Sequence, residues 1–190
     1  MFKFHLIDQQ VILKELSNLN EKKATGPDDI PAKFIKLAAF HLAEPLTYII
    51  NLSLSTASVP NDMKIARVMA LFKNKGEKTS PSNYRPISIL PIFSKVLEKV
   101  VNQQVQTFIT TNKLIFPNQY GFQCNKSTCD ALLKFSDKCF RALNDSESVL
   151  GIFIDFSKAF DTVDHQILLK KLNIYYNFSD SSVSWFSSYL

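Results

Sequence analysis

Apolar residues recur at Ile7, Val11, Leu13, Leu16 and Leu19, a rhythm that predicts a helix from Ile7 to about Leu19. The polar stretch that follows contains Gly26-Pro27-Asp28-Asp29-Ile30-Pro31, turn chemistry that suits a helix start at Asp28 or Asp29 with Pro31 just inside. A long helix is expected over 31–54, its apolar face running from Ala32, Phe34, Ile35 and Leu37 to Ile50 and Leu54, kinked or split at Pro45. Residues 65–72 are β-like. The polar loop 73–84 and the apolar return 85–90 complete a hairpin-like finger. Residues 90–112 form a strongly amphipathic helix, with Phe93, Val96, Leu97, Val100 and Val101 as core positions. After a loop over 115–122, Ser127 or Thr128 caps a helix to about Leu143 that should bury Ala131, Leu132, Phe135, Cys139 and Phe140.

The run 149–155, nearly continuously apolar and rich in branched and aromatic residues, ends on a carboxylate and predicts a strand buried on both faces. Asp155 then sits where that strand leaves the core, with a helix-compatible stretch to Asp161 beyond it. A carboxylate at a strand end suits a divalent metal, although a lone Asp there is more often a helix N-cap or a turn residue. Residues 163–176 and 179–190 read as helices, the second with Trp185, Phe186 and Tyr189 directed at something outside the chain.

Composition narrows the class. At 190 residues, with 46% hydrophobic content and 16 Phe, the chain can bury a sizeable core as one domain, or as one domain and part of another. Only 4 Gly favours long helices. Asp8, Gln9 and Gln10 interrupt any signal-peptide core, and the most apolar long window, 37–59, contains His41, Glu44 and Pro45, which argues against a membrane span. A soluble chain of the cytoplasm and nucleus is expected. Cys124, Cys129 and Cys139 form no Cys-x-x-Cys pair and have no His at ligand spacing, so zinc is disfavoured and reduced thiols are expected.

The placement of charge is more informative than its total. Lys64, Arg67, Lys73, Lys75, Lys78 and Arg85 stand against Glu77 alone, and this one segment carries the whole net charge of +5. Such a concentration suits phosphate; it is also compatible with a solvated basic loop.

Four stretches then fall in a recognisable order. Lys23-Ala24-Thr25-Gly26-Pro27-Asp28, Asn83-Tyr84-Arg85-Pro86-Ile87-Ser88-Ile89-Leu90, Asn118-Gln119-Tyr120-Gly121-Phe122 with Ser127-Thr128, and Phe153-Ile154-Asp155-Phe156-Ser157-Lys158-Ala159-Phe160-Asp161 resemble successive motifs of the reverse transcriptases of non-LTR (LINE-like) retrotransposons. The resemblance implies an RNA-directed DNA polymerase, a nucleotidyltransferase with a helix-rich α+β right-hand fold. Residues 18–148 would be fingers and connecting helices and 149–190 the start of the palm, with the second half of the palm and the thumb absent from this chain. RNA template, DNA primer and dNTPs would be its partners, and two Mg²⁺ ions (or Mn²⁺) its cofactors, activating the primer 3′-hydroxyl and stabilising the leaving pyrophosphate.

Carried onto this sequence, Asp155 would be the first metal-binding carboxylate and the backbone carbonyl of Phe156 a further ligand. Phe160 would close under the sugar and reject a ribose 2′-OH. Lys73 and Arg85 would reach the incoming triphosphate, Arg being suited to bidentate phosphate contact. Lys75, Lys78, Lys22, Lys23 and Gln119 would be further nucleic-acid contacts. Asp161 and Asp164 read as caps or ion-pair partners.

The chain also departs from the family pattern. No Tyr-x-Asp-Asp-type hairpin occurs, and no glycine follows Gly151 to form the template-grip motif. Gln123 stands where the family usually has Arg, and Asp29 where Gly usually follows Gly-Pro-Asp. Because one carboxylate cannot hold two Mg²⁺ ions, this chain alone is expected to lack polymerase activity. It is either a decayed copy or a fragment of a longer reading frame. A non-catalytic nucleic-acid-binding remnant is the alternative function, and a helical interaction module a third.

Overall fold

The Asp8 carboxylate accepts the Gln10 amide at 2.7 Å and starts helix α1 (Gln9–Ser17), a side-chain cap for one of the orphan amides of the first turn. Ile12, which the expected rhythm leaves out, and Leu16, one helical turn apart, are fully buried while Val11 is exposed, so the buried face is centred differently from the expected one. The computed structural model describes residues 1–190 and divides into two units, 1–108 with 165–190, and 109–164.

In the first unit the expected helix over 31–54 is two helices, α2 (Ala32–Leu37) and α3 (Ala39–Thr56). The break falls at Ala38, and Pro45 lies inside α3. A proline in a helix interior costs about 3 kcal/mol. Burial of Ala43, Leu46, Ile50 and Leu54 around it supplies more than that, at about 1.5–3 kcal/mol for each large side chain. Short α2 buries only Ala32 and Ile35, so Phe34 and Leu37, expected inside, are exposed. Helix α4 (Ile92–Thr111) matches its expected span and buries Val96, Leu97, Val100 and Val101 against the same core.

Helices α6 (His165–Ile174) and α7 (Asp180–Tyr189) correct a second expectation. Trp185 does not face away from the chain. It is 1% exposed within the core, its indole N–H donates to the Ser53 hydroxyl at 3.0 Å, and its ring stacks on Tyr189. The N-terminal segment runs beside the turn between α6 and α7: the Phe2 amide donates to Asn177 O at 2.7 Å, and the Ser179 amide donates to Phe2 O at 2.9 Å. Two side-chain amides hold the same segment as a neighbouring strand would. Gln104 pairs with both the N–H and C=O of His5, and Asn51 with both those of Ile7, at 2.7–2.9 Å.

Gly26 locks the loop ahead of α2. A Cβ there would lie 2.6 Å from Pro91 N and 2.8 Å from Pro91 Cα, backbone atoms that cannot yield. Gly26→Ala is therefore expected to destabilise the chain by about 1–3 kcal/mol. Thermal unfolding would register this as a midpoint lowered by about 2–4 °C per kcal/mol; an unchanged midpoint would contradict the close approach.

The second unit is built on α5 (Thr128–Asn144), which starts with a complete capping box. Asp130 N–H donates to the Ser127 hydroxyl oxygen, and Ser127 N–H donates to the Asp130 carboxylate. None of its apolar side chains is buried, contrary to expectation; Leu132, Phe135 and Phe140 are exposed. The expected strand over 149–155 is also missing. That segment is irregular and solvent-exposed, with Phe153 84% accessible. A strand needs a neighbour to take its N–H and C=O groups, and the chain's two strands pair only with each other. No helix is long and apolar enough to cross a membrane.

Candidate nucleotide and nucleic-acid site

The expected hairpin forms. Strand β1 (Arg67–Phe72) pairs antiparallel with β2 (Tyr84–Ile89), Leu71 opposite Arg85 and Phe72 opposite Tyr84. The Lys73 amide adds a rung by donating to Asn83 O at 2.8 Å. Alternation along the strands puts Leu71, Lys73 and Arg85 on one face and Phe72 and Tyr84 on the other. The two rings pack 5.3 Å apart, and Lys78 Nζ lies 5.9 Å over the Phe72 ring. By this alternation Lys73, one residue past β1, and Arg85 fall on the same face, while Lys78 Nζ lies over a ring of the opposite face.

The loop between the strands is held by its own contacts. Lys73 Nζ donates to Ser82 O at 2.7 Å, Asn83 Nδ2 to Glu77 O at 2.8 Å, and the Tyr84 hydroxyl to Lys78 O at 2.9 Å. Gly76 takes a left-handed φ of 77° beside the Asn83 amide, where a Cβ would lie only 2.5 Å away. Of the six bases that concentrate the charge, Arg67 pairs with Asp29 at 2.8 Å and Lys64 Nζ donates to Ser188 O. Lys73, Lys75, Lys78 and Arg85 have no carboxylate within ion-pairing distance. The positive field is therefore left uncompensated at the hairpin and its loop.

Asp29 retains the turn that its substitution for Gly brings into question. Its φ is 52°, the left-handed region that Gly enters freely and Asp tolerates. In the same loop the Lys22 amide donates to Asn20 Oδ1 and the Lys23 amide to Asn20 O.

In the second unit, Gln119 lies in a loop organised by two lysines that the sequence reading passes over. Lys126 Nζ donates to Pro117 O and Gln119 O and sits 5.3 Å over the Tyr120 ring, and Lys134 Nζ donates to Asn118 Oδ1 at 2.6 Å. Their position just after the Asn118–Phe122 motif is the signal that would have found them. Phe160 lies in the turns at 157–162, exposed, with its ring edge-on to Phe122 at 6.2 Å. Asp155 and Phe156 stand in the exposed irregular segment. No group of three or more His, Cys, Asp or Glu side chains gathers anywhere in the chain. The residues present therefore do not fit a pair of divalent ions.

Hydrogen bonds from the Ser127 hydroxyl and then the Ser127 amide lower the Asp130 pKa below the usual carboxylate range. A depressed carboxylate stabilises the folded cap above its unfolded pKa of about 3.9, and that contribution is lost as pH falls through the folded value. Protection of the Ser127 amide from hydrogen exchange should therefore hold at neutral pH and disappear only below the ordinary carboxylate range. A loss centred at or above the ordinary value would contradict the capping box.

Residues 73–190, which include the hairpin arginine, Gln119, Asp155 and Phe160, match the family model described as reverse transcriptase (RNA-dependent DNA polymerase). The chain belongs to that family. It is 30% identical over 174 residues to the RNA-directed DNA polymerase from mobile element jockey of Drosophila melanogaster, covering 90% of this chain and 19% of that protein. It is 28% identical over 161 residues to the probable RNA-directed DNA polymerase from transposon BS of the same species, covering 85% of this chain and 18% of that protein. A Pol polyprotein from a type-1 retrotransposable element R1 of Bradysia coprophila shares 28% over 156 residues. The chain spans less than a fifth of the length of these relatives. The resemblance to non-LTR retrotransposon reverse transcriptases is borne out, as is the helix-rich α+β class. Reverse transcriptases are in general dependent on divalent metal and act with an RNA template and nucleotides.

Proposed function

We propose that this reverse transcriptase chain supplies the fingers (18–148) and the start of the palm (149–190) of a right-hand RNA-directed DNA polymerase, and that by itself it does not extend a primer. The hairpin carries the reading: Lys73 and Arg85 share one face, free of carboxylate partners, where an incoming triphosphate or a backbone phosphate would be gripped. Lys75, Lys78, Lys22, Lys23 and Gln119 add contacts to RNA template and DNA primer. Asp155 and the Phe156 carbonyl contribute to a Mg²⁺ site that needs more carboxylates than this chain gathers. Phe160 excludes the ribose 2′-OH. Cytoplasm and nucleus are the compartments in which such a chain would act.

A second reading is a non-catalytic nucleic-acid-binding remnant, which the carboxylate-free bases of the hairpin support equally. Primer extension tests the activity: with an RNA template, a DNA primer, all four dNTPs and Mg²⁺, no product is expected. Extension by the purified chain would show that its solitary carboxylate suffices and would overturn the assignment of inactivity.

A further inference from the structure

We propose that Asn83 is a positioning residue for the triphosphate grip: its side-chain amide folds the basic loop 73–84 back on itself and so fixes where Lys75 stands relative to Lys73 and Arg85. The role rests on the hairpin reading above and adds the group that shapes the grip without touching the ligand.

Asn83 stands at the corner where the 3₁₀ turn Pro81–Asn83 runs into β2, half-buried while residues 73–79 are exposed. Its carbonyl accepts the Lys73 amide at 2.8 Å and its own amide N–H donates to Ser80 O at 3.1 Å, so backbone bonds join this corner to the end of β1. The adjacent Ser82 carbonyl accepts from Lys73 Nζ at 2.7 Å. That bond uses one N–H of the ammonium and leaves its other donors for an anion. From the same corner the Asn83 side-chain amide reaches across the loop to donate to Glu77 O at 2.8 Å. Gly76 lies so close beneath it that a Cβ there would be 2.5 Å from Asn83 Nδ2, and the φ of 77° at Gly76 is one that glycine enters freely. The residues gripped, 76 and 77, lie between Lys75 and Lys78 in the chain.

A loose loop would carry the same lysines and the same total charge. What it would lack is a fixed arrangement. A compact triphosphate engages several cations at once, and ordering a loop on binding costs affinity that a preformed loop keeps. The Tyr84 hydroxyl, donating to Lys78 O at 2.9 Å, secures the Lys78 side of the loop. Asn83, against Gly76 and Glu77, secures the side that carries Lys75. Binding of a long nucleic-acid backbone depends differently on the loop: its salt dependence counts the phosphates neutralised, whatever the exact spacing of the cations.

Asn83→Ala and Gly76→Ala, made in the full chain, leave every charge in place. Each is expected to weaken binding of a fluorescent deoxynucleoside triphosphate analogue by about 5-fold, within the range that the net free energy of one hydrogen bond spans. The salt slope for a labelled RNA–DNA template–primer should match that of the unaltered chain, since the same cations are available. A merely structural role would not give this split, because loss of the hairpin lowers affinity and slope together. The two residues should also be coupled. Asn83→Ala removes the atoms that a Gly76 Cβ would meet, so the double variant should lose less than the product of the two single losses. Thr79→Ala, whose hydroxyl meets only the Glu77 side chain, should change neither readout. Single variants that bind the analogue as the unaltered chain does overturn the positioning role, and so does a salt slope that falls with the affinity. Losses that simply multiply in the double variant overturn the Gly76–Asn83 contact as its basis. Failure of the unaltered chain to bind the analogue overturns the hairpin reading and this role with it; unaffected variants of a chain that does bind overturn the role alone.

Discussion

Trp185→Ala is expected to destabilise the first unit by about 3–5 kcal/mol, the usual cost of emptying a buried indole site. The side chain is almost fully enclosed and edge-on to Phe4 and Phe186, stacked on Tyr189 and hydrogen-bonded to Ser53. Truncation removes apolar burial, leaves a cavity and takes away the partner of a nearly buried hydroxyl. The Tyr189 packing depends on the same stack. Its phenol donates to the Glu98 carboxylate, and burial first, then that carboxylate, push its pKa well above the ordinary range. Trp185→Phe, which keeps a ring and loses the indole N–H, should cost less. Urea unfolding measures both: the midpoint should fall in the order wild type, Phe, Ala, with little change in m. A midpoint for Trp185→Ala within error of wild type would mean that α7 is not part of the core.

The second large effect falls on function. Lys73→Ala/Arg85→Ala is expected to weaken binding of a deoxynucleoside triphosphate by roughly 10²-fold or more, since each charge-assisted contact contributes about 1.5–3 kcal/mol. The ladder itself is made by backbone groups, including the Lys73 amide bond to Asn83 O, so the double variant should keep the hairpin. Lys78→Ala makes an informative comparison, because Lys78 sits over Phe72 on the opposite face. Titration with a fluorescent dNTP analogue should show a large loss for the double variant and a small one for Lys78→Ala. Equal losses would mean that the ligand answers to the loop's total charge and not to one face of the hairpin.

Local pattern made much of this chain legible. The helical period located α4, cap chemistry narrowed the start of α5 to Ser127 or Thr128, and β-like composition around a polar loop located the hairpin that carries Arg85 and leads into Lys73. Asp29, which departs from a glycine motif, occupies the left-handed region that glycine enters freely. What the pattern could not carry was partnership. Residues 149–155 have the composition of a buried strand, but composition records only what a segment would gain by burial, and the two strands of the chain pair with each other. Trp185 meets Ser53 across 132 positions of sequence, a contact that no local window contains. The exposed apolar face of α5 is the same lesson: amphipathic spacing fixes a helix and its apolar side, while burial of that side needs a second surface.

The proposed grip on nucleic acid rests on uncompensated bases on and around the fingers hairpin. Its most direct test is the affinity of the unaltered chain for a labelled RNA–DNA template–primer across a salt series. Binding at low salt that weakens linearly in log–log form, with a slope reflecting several phosphate contacts, is the predicted result. No binding at low salt, or binding that salt leaves unchanged, would contradict it.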